Sequence, residues 1–215
     1  MGRISRFATG EFYHIFNRGL DKRMVFLDSE DAERFLQSMQ EFNSSEPIGS
    51  LFENFFRKSQ SRGRAAKPSK KLVNIICYCL NPNHYHLLLE QNVEKGISEF
   101  MKRLNGGYTH YFNIKNKRNG ALFQGKFKAV HVDSNSYLLH LSAYINLNNR
   151  VHRLKRTIKS SWKEYVNDFD GVCSKEIILD QFNNVSEYVS FAESSLRDIV
   201  ERKKLKKELE NLLLE

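Results

Sequence analysis

Two apolar stretches, Leu72 to Leu80 and His84 to Glu90, lie either side of Asn81-Pro82-Asn83. The first is nearly continuous and holds β-branched and aromatic residues, the mark of a strand buried on both faces. Asn-Pro-Asn is a turn, so the second stretch is the strand returning from it. This hairpin sits among segments of a different period. Phe12 to Arg18 reads as a first strand closed by a turn at Gly19. Asp28 or its neighbours cap a helix whose apolar residues recur at Phe35, Leu36, Met39 and Phe42. Gly96 opens a helix running through Phe100, Leu104, Tyr108 and Phe112, and Ala121 to Val132 supplies another strand. Asp133 or Ser134 caps a helix from about Ser136 to Asn148. The order strand, helix, strand, strand, helix, strand, helix predicts an α+β fold. The expected form is a ferredoxin-like sandwich in which helices cover one face of a central antiparallel sheet.

Residues 1–150 are expected to form this domain, with a polar, basic insertion at about 54–71. Residues 151–215 are expected to form a basic linker and a helical C-terminal extension. The linker carries Arg153, Lys155, Arg156, Lys159 and Lys163; a short helix follows near Lys175 to Phe182, then a long one from Ser186 onward. Leu205, Leu209 and Leu212 could pack on the core or form a pairing seam. No apolar run reaches the roughly 18 residues of a membrane span, and the basic first residues lack the apolar segment of a signal peptide. Cys77, Cys79 and Cys173 are too few for a disulfide framework, and the first two read as buried strand thiols. The expected compartment is the cytoplasm, in association with the nucleoid.

The net charge of +9 favours a polyanionic partner, and its distribution sharpens that expectation. No acidic residue lies between Glu53 and Glu90, where seven lysines and arginines from Arg57 to Lys71 occur. A second acid-free stretch, Lys102 to Val132, holds Arg103, Lys115, Lys117, Arg118, Lys126 and Lys128. Either alone is an ordinary solvated run. Flanking one candidate site, the two suggest a track for a phosphate backbone.

That site starts from His84-Tyr85-His86. Residues two apart on a strand share a face, so both imidazoles can approach one metal ion while Tyr85 turns toward the core with Leu87 and Leu89. Taken alone, His-x-His is a weak signal. On the helix after Asp133, Tyr137, His140, Tyr144 and Asn148 form one polar-aromatic stripe beside an apolar stripe of Leu138, Leu141 and Ile145. Asn148, one turn beyond Tyr144, could complete a His-His-Asn metal site and place the phenol beside it. Tyr137 reads as a half-buried core edge.

Four blocks in order resemble the single-tyrosine transposases of the HUH nuclease superfamily, and within it the REP-associated tyrosine transposases related to the IS200/IS605 group. They are Tyr13 to Gly19 (Tyr-His-Ile-Phe-Asn-Arg-Gly), Asn81 to Leu89 (Asn-Pro-Asn-His-Tyr-His-Leu-Leu-Leu), and Leu122 to Lys128 (Leu-Phe-Gln-Gly-Lys-Phe-Lys). The fourth is Tyr137-Leu138-Leu139 with Tyr144-Ile145-Asn146-Leu147-Asn148. The resemblance covers roughly the first 150 residues. It implies that His84 and His86 are metal ligands, Asn148 the third, and Tyr144 the nucleophile. Two positions depart from the family's Tyr-Ile-His-Leu-Asn-Pro: Asn146 stands for His and Asn149 for Pro. A lost Pro bears on where the helix stops.

The activity implied is metal-dependent cleavage and rejoining of single-stranded DNA at hairpin or palindromic repeats, through a 5′-phosphotyrosine, with Mg²⁺ or Mn²⁺ as cofactor. Arg18, Lys22, Arg23, Lys115, Lys117, Arg118, Lys126 and Lys128 are candidate DNA contacts, and His140 could orient DNA or take a proton. Phe123 and Phe127 suit either base stacking or the core. Relatives occur as monomers and as dimers, so a homodimer stays open; no membrane partner is expected. One rival reading is a domesticated DNA-binding protein of the same fold that does not cut. Another is a metal-dependent hydrolase of small phosphates.

Overall fold

The computed structural model describes residues 7–54, 70–151, 158–167 and 169–212, with side chains up to residue 202. Much of the basic insertion, the linker residues Arg153, Lys155 and Arg156, and the side chains of Leu205, Leu209 and Leu212 therefore lie outside the described residues. The elements are β1 (Phe12–Arg18), α1 (Ser29–Glu41), β2 (Val73–Asn81), β3 (His84–Gln91), α2 (Gly96–Lys115), β4 (Lys128–Val132) and α3 (Asn135–Asn146). They continue with α4 (Asn148–Val151), β5 (Lys159–Ser160), α5 (Trp162–Val166), α6 (Glu176–Leu179) and α7 (Val185–Leu212). The strands form one sheet in the order β4-β1-β3-β2-β5, antiparallel throughout. The fold is α+β with a helical C-terminal region, in the element order that the periodicity predicts.

The period of two divides the sheet into two faces. Tyr13, Ile15, Tyr78, Leu80, Tyr85, Leu87 and Leu89 pack against Phe35 and Met39 of α1 and Phe100, Leu104 and Tyr108 of α2. Tyr85 is fully buried there, and its hydroxyl donates to Asn105 Oδ1 at 2.9 Å. The opposite face is covered too, which differs from a sandwich with helices on one side. Ile76, Cys77, Cys79 and Leu88 pack against Leu138, Leu141 and Ile145 of α3, Tyr165 of α5 and Tyr188 of α7. The cause is in β2, whose nearly unbroken apolar run must be buried on both faces. A register shift between Ile75 and Cys77 turns Ile76 and Cys77 to the same side. That bulge brings Cys79 and Asn81 onto the face of His84 and His86.

β4 is shorter than the sequence pattern suggests. Gly120 and Gly125 take positive φ (86° and 68°), a conformation an extended strand cannot hold, and between them Phe123 makes an isolated bridge to Gly19. α1 begins as expected, with the Asp28 side chain accepting from Asp31 N–H at 2.9 Å. Asp31 is itself fully buried and accepts from Leu27 N–H (2.8 Å), the Tyr111 hydroxyl (3.1 Å) and Lys115 Nζ (2.9 Å). Asp31→Ala should leave the Leu27 N–H and the Tyr111 hydroxyl short of an acceptor, with Lys115 keeping only Asp28 and Glu30, and lower stability by about 3 kcal/mol. Urea unfolding followed by circular dichroism measures it, and a loss below about 1 kcal/mol would contradict this account.

Candidate active site on the second sheet face

Register alone assembles most of the site. Across β1, β3 and β2, Arg18 pairs with His84 and His84 with Asn81; in the next row Lys128 pairs with Phe16, Phe16 with His86, and His86 with Cys79. All these residues share one face because each pair sits directly opposite on neighbouring strands. α3 lies over this face. Its Ser134 cap accepts from Tyr137 N–H, and Leu138, Leu141 and Ile145 are buried toward the sheet. Tyr144 then stands over the imidazoles, its ring centroid 5.8 Å from that of His86 and 6.4 Å from that of His14. Beside it opens a cavity of about 720 Å³ lined by Phe16, Arg18, Lys22, His84, His86, Gln124, Lys128 and Tyr144.

The hydrogen bonds give the imidazoles a direction. The amide nitrogen Asn81 Nδ2 can only donate, and it lies 2.9 Å from His84 Nε2, so that ring nitrogen accepts. His84 Nδ1 then carries the proton and donates to Asn83 Oδ1 at 2.6 Å. His86 Nδ1 meets His14 Nε2 at 2.9 Å. His14 is buried, and burial pushes its pKa down to about 4, so it is neutral at neutral pH. Both His84 and His86 therefore have a fixed partner on Nδ1, the arrangement that orients metal-binding histidines. His14, Asn81 and Asn83 were not singled out by sequence reasoning. The alternation that marks His84 and His86 also marks Phe16 and His14 on β1, but the β2 bulge hides the parity of Asn81.

The helix carrying Tyr144 stops earlier than the stripe suggests. α3 ends at Asn146, Leu147 leaves helical geometry at φ −107°, ψ 17°, and a short α4 resumes at Asn148. The step swings Asn148 inward, fully buried, with its Oδ1 accepting from Asn81 Nδ2 at 2.8 Å. Burial raises the Tyr144 pKa, and the nearby Asn148 amide lowers it in part. That amide's Nδ2 is itself buried and makes no hydrogen bond of ordinary geometry. The C-terminal region holds α3 in place. Asn146 donates to the Tyr188 hydroxyl at 2.9 Å and accepts from Ser161 Oγ at 2.6 Å, and Arg150 pairs with Glu193.

The structure gathers His84, His86, Asn148 and Tyr144 around one point, with Arg18, Lys22 and Lys128 at the cavity. It places the other candidates elsewhere. Lys115 is held by Asp28, Glu30 and Asp31, within 3.0 Å of each. Arg118 donates to Asn113 Oδ1 and Ala121 O and lies over Phe112. Arg23 donates to Leu20 O and pairs with Asp21. Lys117 and Lys126 are exposed. His140 meets Ser195 Oγ at 2.8 Å and stacks obliquely on Phe191, both of α7. Phe123 is buried against Tyr85 and Tyr108, and Phe127 packs on Phe7. No helix among the described residues is long and apolar enough to cross a membrane.

His14 in the folded, ion-free protein binds no proton until well below its ordinary value, whereas the unfolded chain binds one near 6.5. Stability should therefore be intact above pH 6.5 and fall as pH drops toward about 4, by on the order of 3 kcal/mol from this group. Melting temperatures in chelator across that window should drop less for His14→Leu than for wild type; equal slopes would contradict the assignment.

Residues 62–148 match the family model for IS200-like transposases. The matched segment contains His84, His86, Tyr144 and Asn148 together. Among solved structures, a REP-associated tyrosine transposase bound to a REP hairpin is 15% identical, with a TM-score of 0.53 over 80% of this chain and 92% of that one. A protein from Deinococcus radiodurans R1 described as a transposase is also 15% identical, with a TM-score of 0.38 over 67% of this chain and 95% of that one. No curated protein matches the chain significantly. The chain thus shares the α+β fold of the REP-associated transposase.

Proposed function

We propose that this chain cuts and rejoins single-stranded DNA as a transposase, with Tyr144 as nucleophile and hairpin-forming repeats as substrate. The observation that carries the reading is Tyr144 standing over His86 at the mouth of a cavity lined by Arg18, Lys22 and Lys128. The hairpin bound by the similarly folded REP-associated transposase supports the choice of substrate. The phenol oxygen would attack a backbone phosphorus in line, forming a 5′-phosphotyrosine and releasing a 3′-hydroxyl, which reverses the step to rejoin strands. Arg18, Lys22 and Lys128 would hold flanking phosphates and Phe16 would bound the cavity floor.

A divalent ion fits the donor set: His84 Nε2 and Asn148 Oδ1 turn their lone pairs to the same point, and His86 lies beside them. Among the described residues no group of three His, Cys, Asp or Glu converges, so such a centre depends on the Asn148 oxygen. Two imidazoles and an amide suit Mn²⁺ somewhat better than Mg²⁺. Bound there, the ion would polarise the scissile phosphate. A labelled hairpin-bearing strand incubated with Mn²⁺ should give a detergent-stable protein–DNA adduct. A non-cleaving binder retains the strand without an adduct, and a hydrolase of small phosphates turns over without one; either result would overturn the proposal.

A further inference from the structure

Asn81 is fully buried at the end of β2, directly opposite His84. Its Nδ2 donates both to Asn148 Oδ1 (2.8 Å) and to His84 Nε2 (2.9 Å), while its Oδ1 faces Cys79 Sγ at 3.6 Å. One N–H₂ group thus satisfies two of the three atoms assigned above to a metal ion. An ion and a hydrogen-bond donor cannot share the same lone pairs, so a bound ion must move this nitrogen. A half-turn of the amide exchanges Nδ2 for Oδ1 at nearly the same place, and a buried amide oxygen is an ordinary ligand for a hard cation.

We propose that Asn81 is a fourth ligand of the site: its amide holds His84 and Asn148 together in the ion-free protein and turns over to offer Oδ1 when a divalent cation enters. The inference rests on the metal reading of the proposed function. The exchange costs little on the far side, where the turned Nδ2 meets the Cys79 sulfur in place of Oδ1. It also answers a weakness of the three-residue set. His84, His86 and Asn148 are neutral and supply one oxygen, whereas Asn81 makes two nitrogens and two oxygens. Such a set leaves positions in a six-coordinate ion for phosphate oxygen and water.

The experiment is a Mn²⁺ titration of the full chain, without DNA, read from the electron paramagnetic resonance signal of free Mn²⁺. Asn81→Leu removes the ligand and should weaken binding about tenfold or more, whereas Asn81→Asp supplies an anionic oxygen and should tighten it by at least as much. His84→Ala should abolish binding. Unchanged affinity in both Asn81 variants, with binding lost in His84→Ala, overturns the inference alone. Tighter binding by Asn81→Leu also overturns it, since the amide would then only compete with the ion. No binding by the wild type overturns the metal reading with it. Should Asn81→Leu fail to fold in the ion-free state, the direction of the Asn81→Asp shift decides.

Discussion

Tyr144→Phe is expected to abolish the covalent protein–DNA adduct, by more than about a thousandfold, while leaving the fold and the affinity for an uncut hairpin strand nearly unchanged. The substitution removes one oxygen from a ring that stays packed over His86 and His14. The fold should tolerate the loss, because the ring is half-buried at the edge of the cavity and its packing is kept. The proposed chemistry depends on it entirely. Burial holds the phenol in its neutral form, so attack on phosphorus requires the site to take up the proton or stabilise the phenolate. Among the described residues, Tyr137 on the same helix does not share that place: it is two turns earlier on α3 and more than a third exposed. An adduct that persists in Tyr144→Phe would assign the attack to another residue, and loss of strand binding together with the adduct would assign Tyr144 to recognition. Gel mobility shift and adduct yield on the same labelled strand separate these outcomes.

The parts of this site legible in the sequence are those set by local period. His84 and His86 share a face because strand side chains alternate, and the same alternation sends Tyr85 into the core. Tyr144 follows from helical spacing relative to Leu141 and Ile145. What was not legible depends on departures from period or on distant partners. The bulge at Ile76 changes the parity of β2, so counting along the strand does not predict that Asn81 would join His84. The break at Leu147 brings Asn148 inward by a step, where the sequence suggested a continued helical stripe. Lys115 looks in sequence like part of a basic track, because its carboxylate partners are on α1, more than eighty residues earlier. Covering both faces of the sheet likewise needs the C-terminal elements, whose docking through Tyr165 and Tyr188 has no local signature.

The clamp on α3 suggests how function depends on these distant elements. Tyr188 accepts from Asn146 and contacts Ser142 across the buried face, and Ser161 joins Asn146 to the backbone of Tyr78. The helix carrying Tyr144 is therefore tied to the sheet from both sides. Tyr144 and the two histidines it stands over are thus brought together by elements of a single chain.

The second large effect concerns His86, and its value lies in comparison with His14. His86→Ala should lower adduct formation about a thousandfold, because it removes both an imidazole facing the reacting centre and the surface on which Tyr144 rests. His14 does not reach the cavity; it acts through its 2.9 Å contact with His86 Nδ1, which sets the direction of that ring. His14→Leu should accordingly cost about tenfold to a hundredfold, the usual range for a group orienting a ligand. His14→Gln, whose amide oxygen can accept the same proton, should recover part of the loss. A purely structural His14 would behave differently: the Leu variant, apolar in an apolar surrounding, would retain activity and gain stability. The comparison is made by single-turnover adduct formation at saturating strand and Mn²⁺, with melting temperatures measured alongside. If His14→Leu falls as far as His86→Ala without recovery in His14→Gln, His14 belongs to the reacting centre, and the division between the two histidines drawn from their positions is wrong.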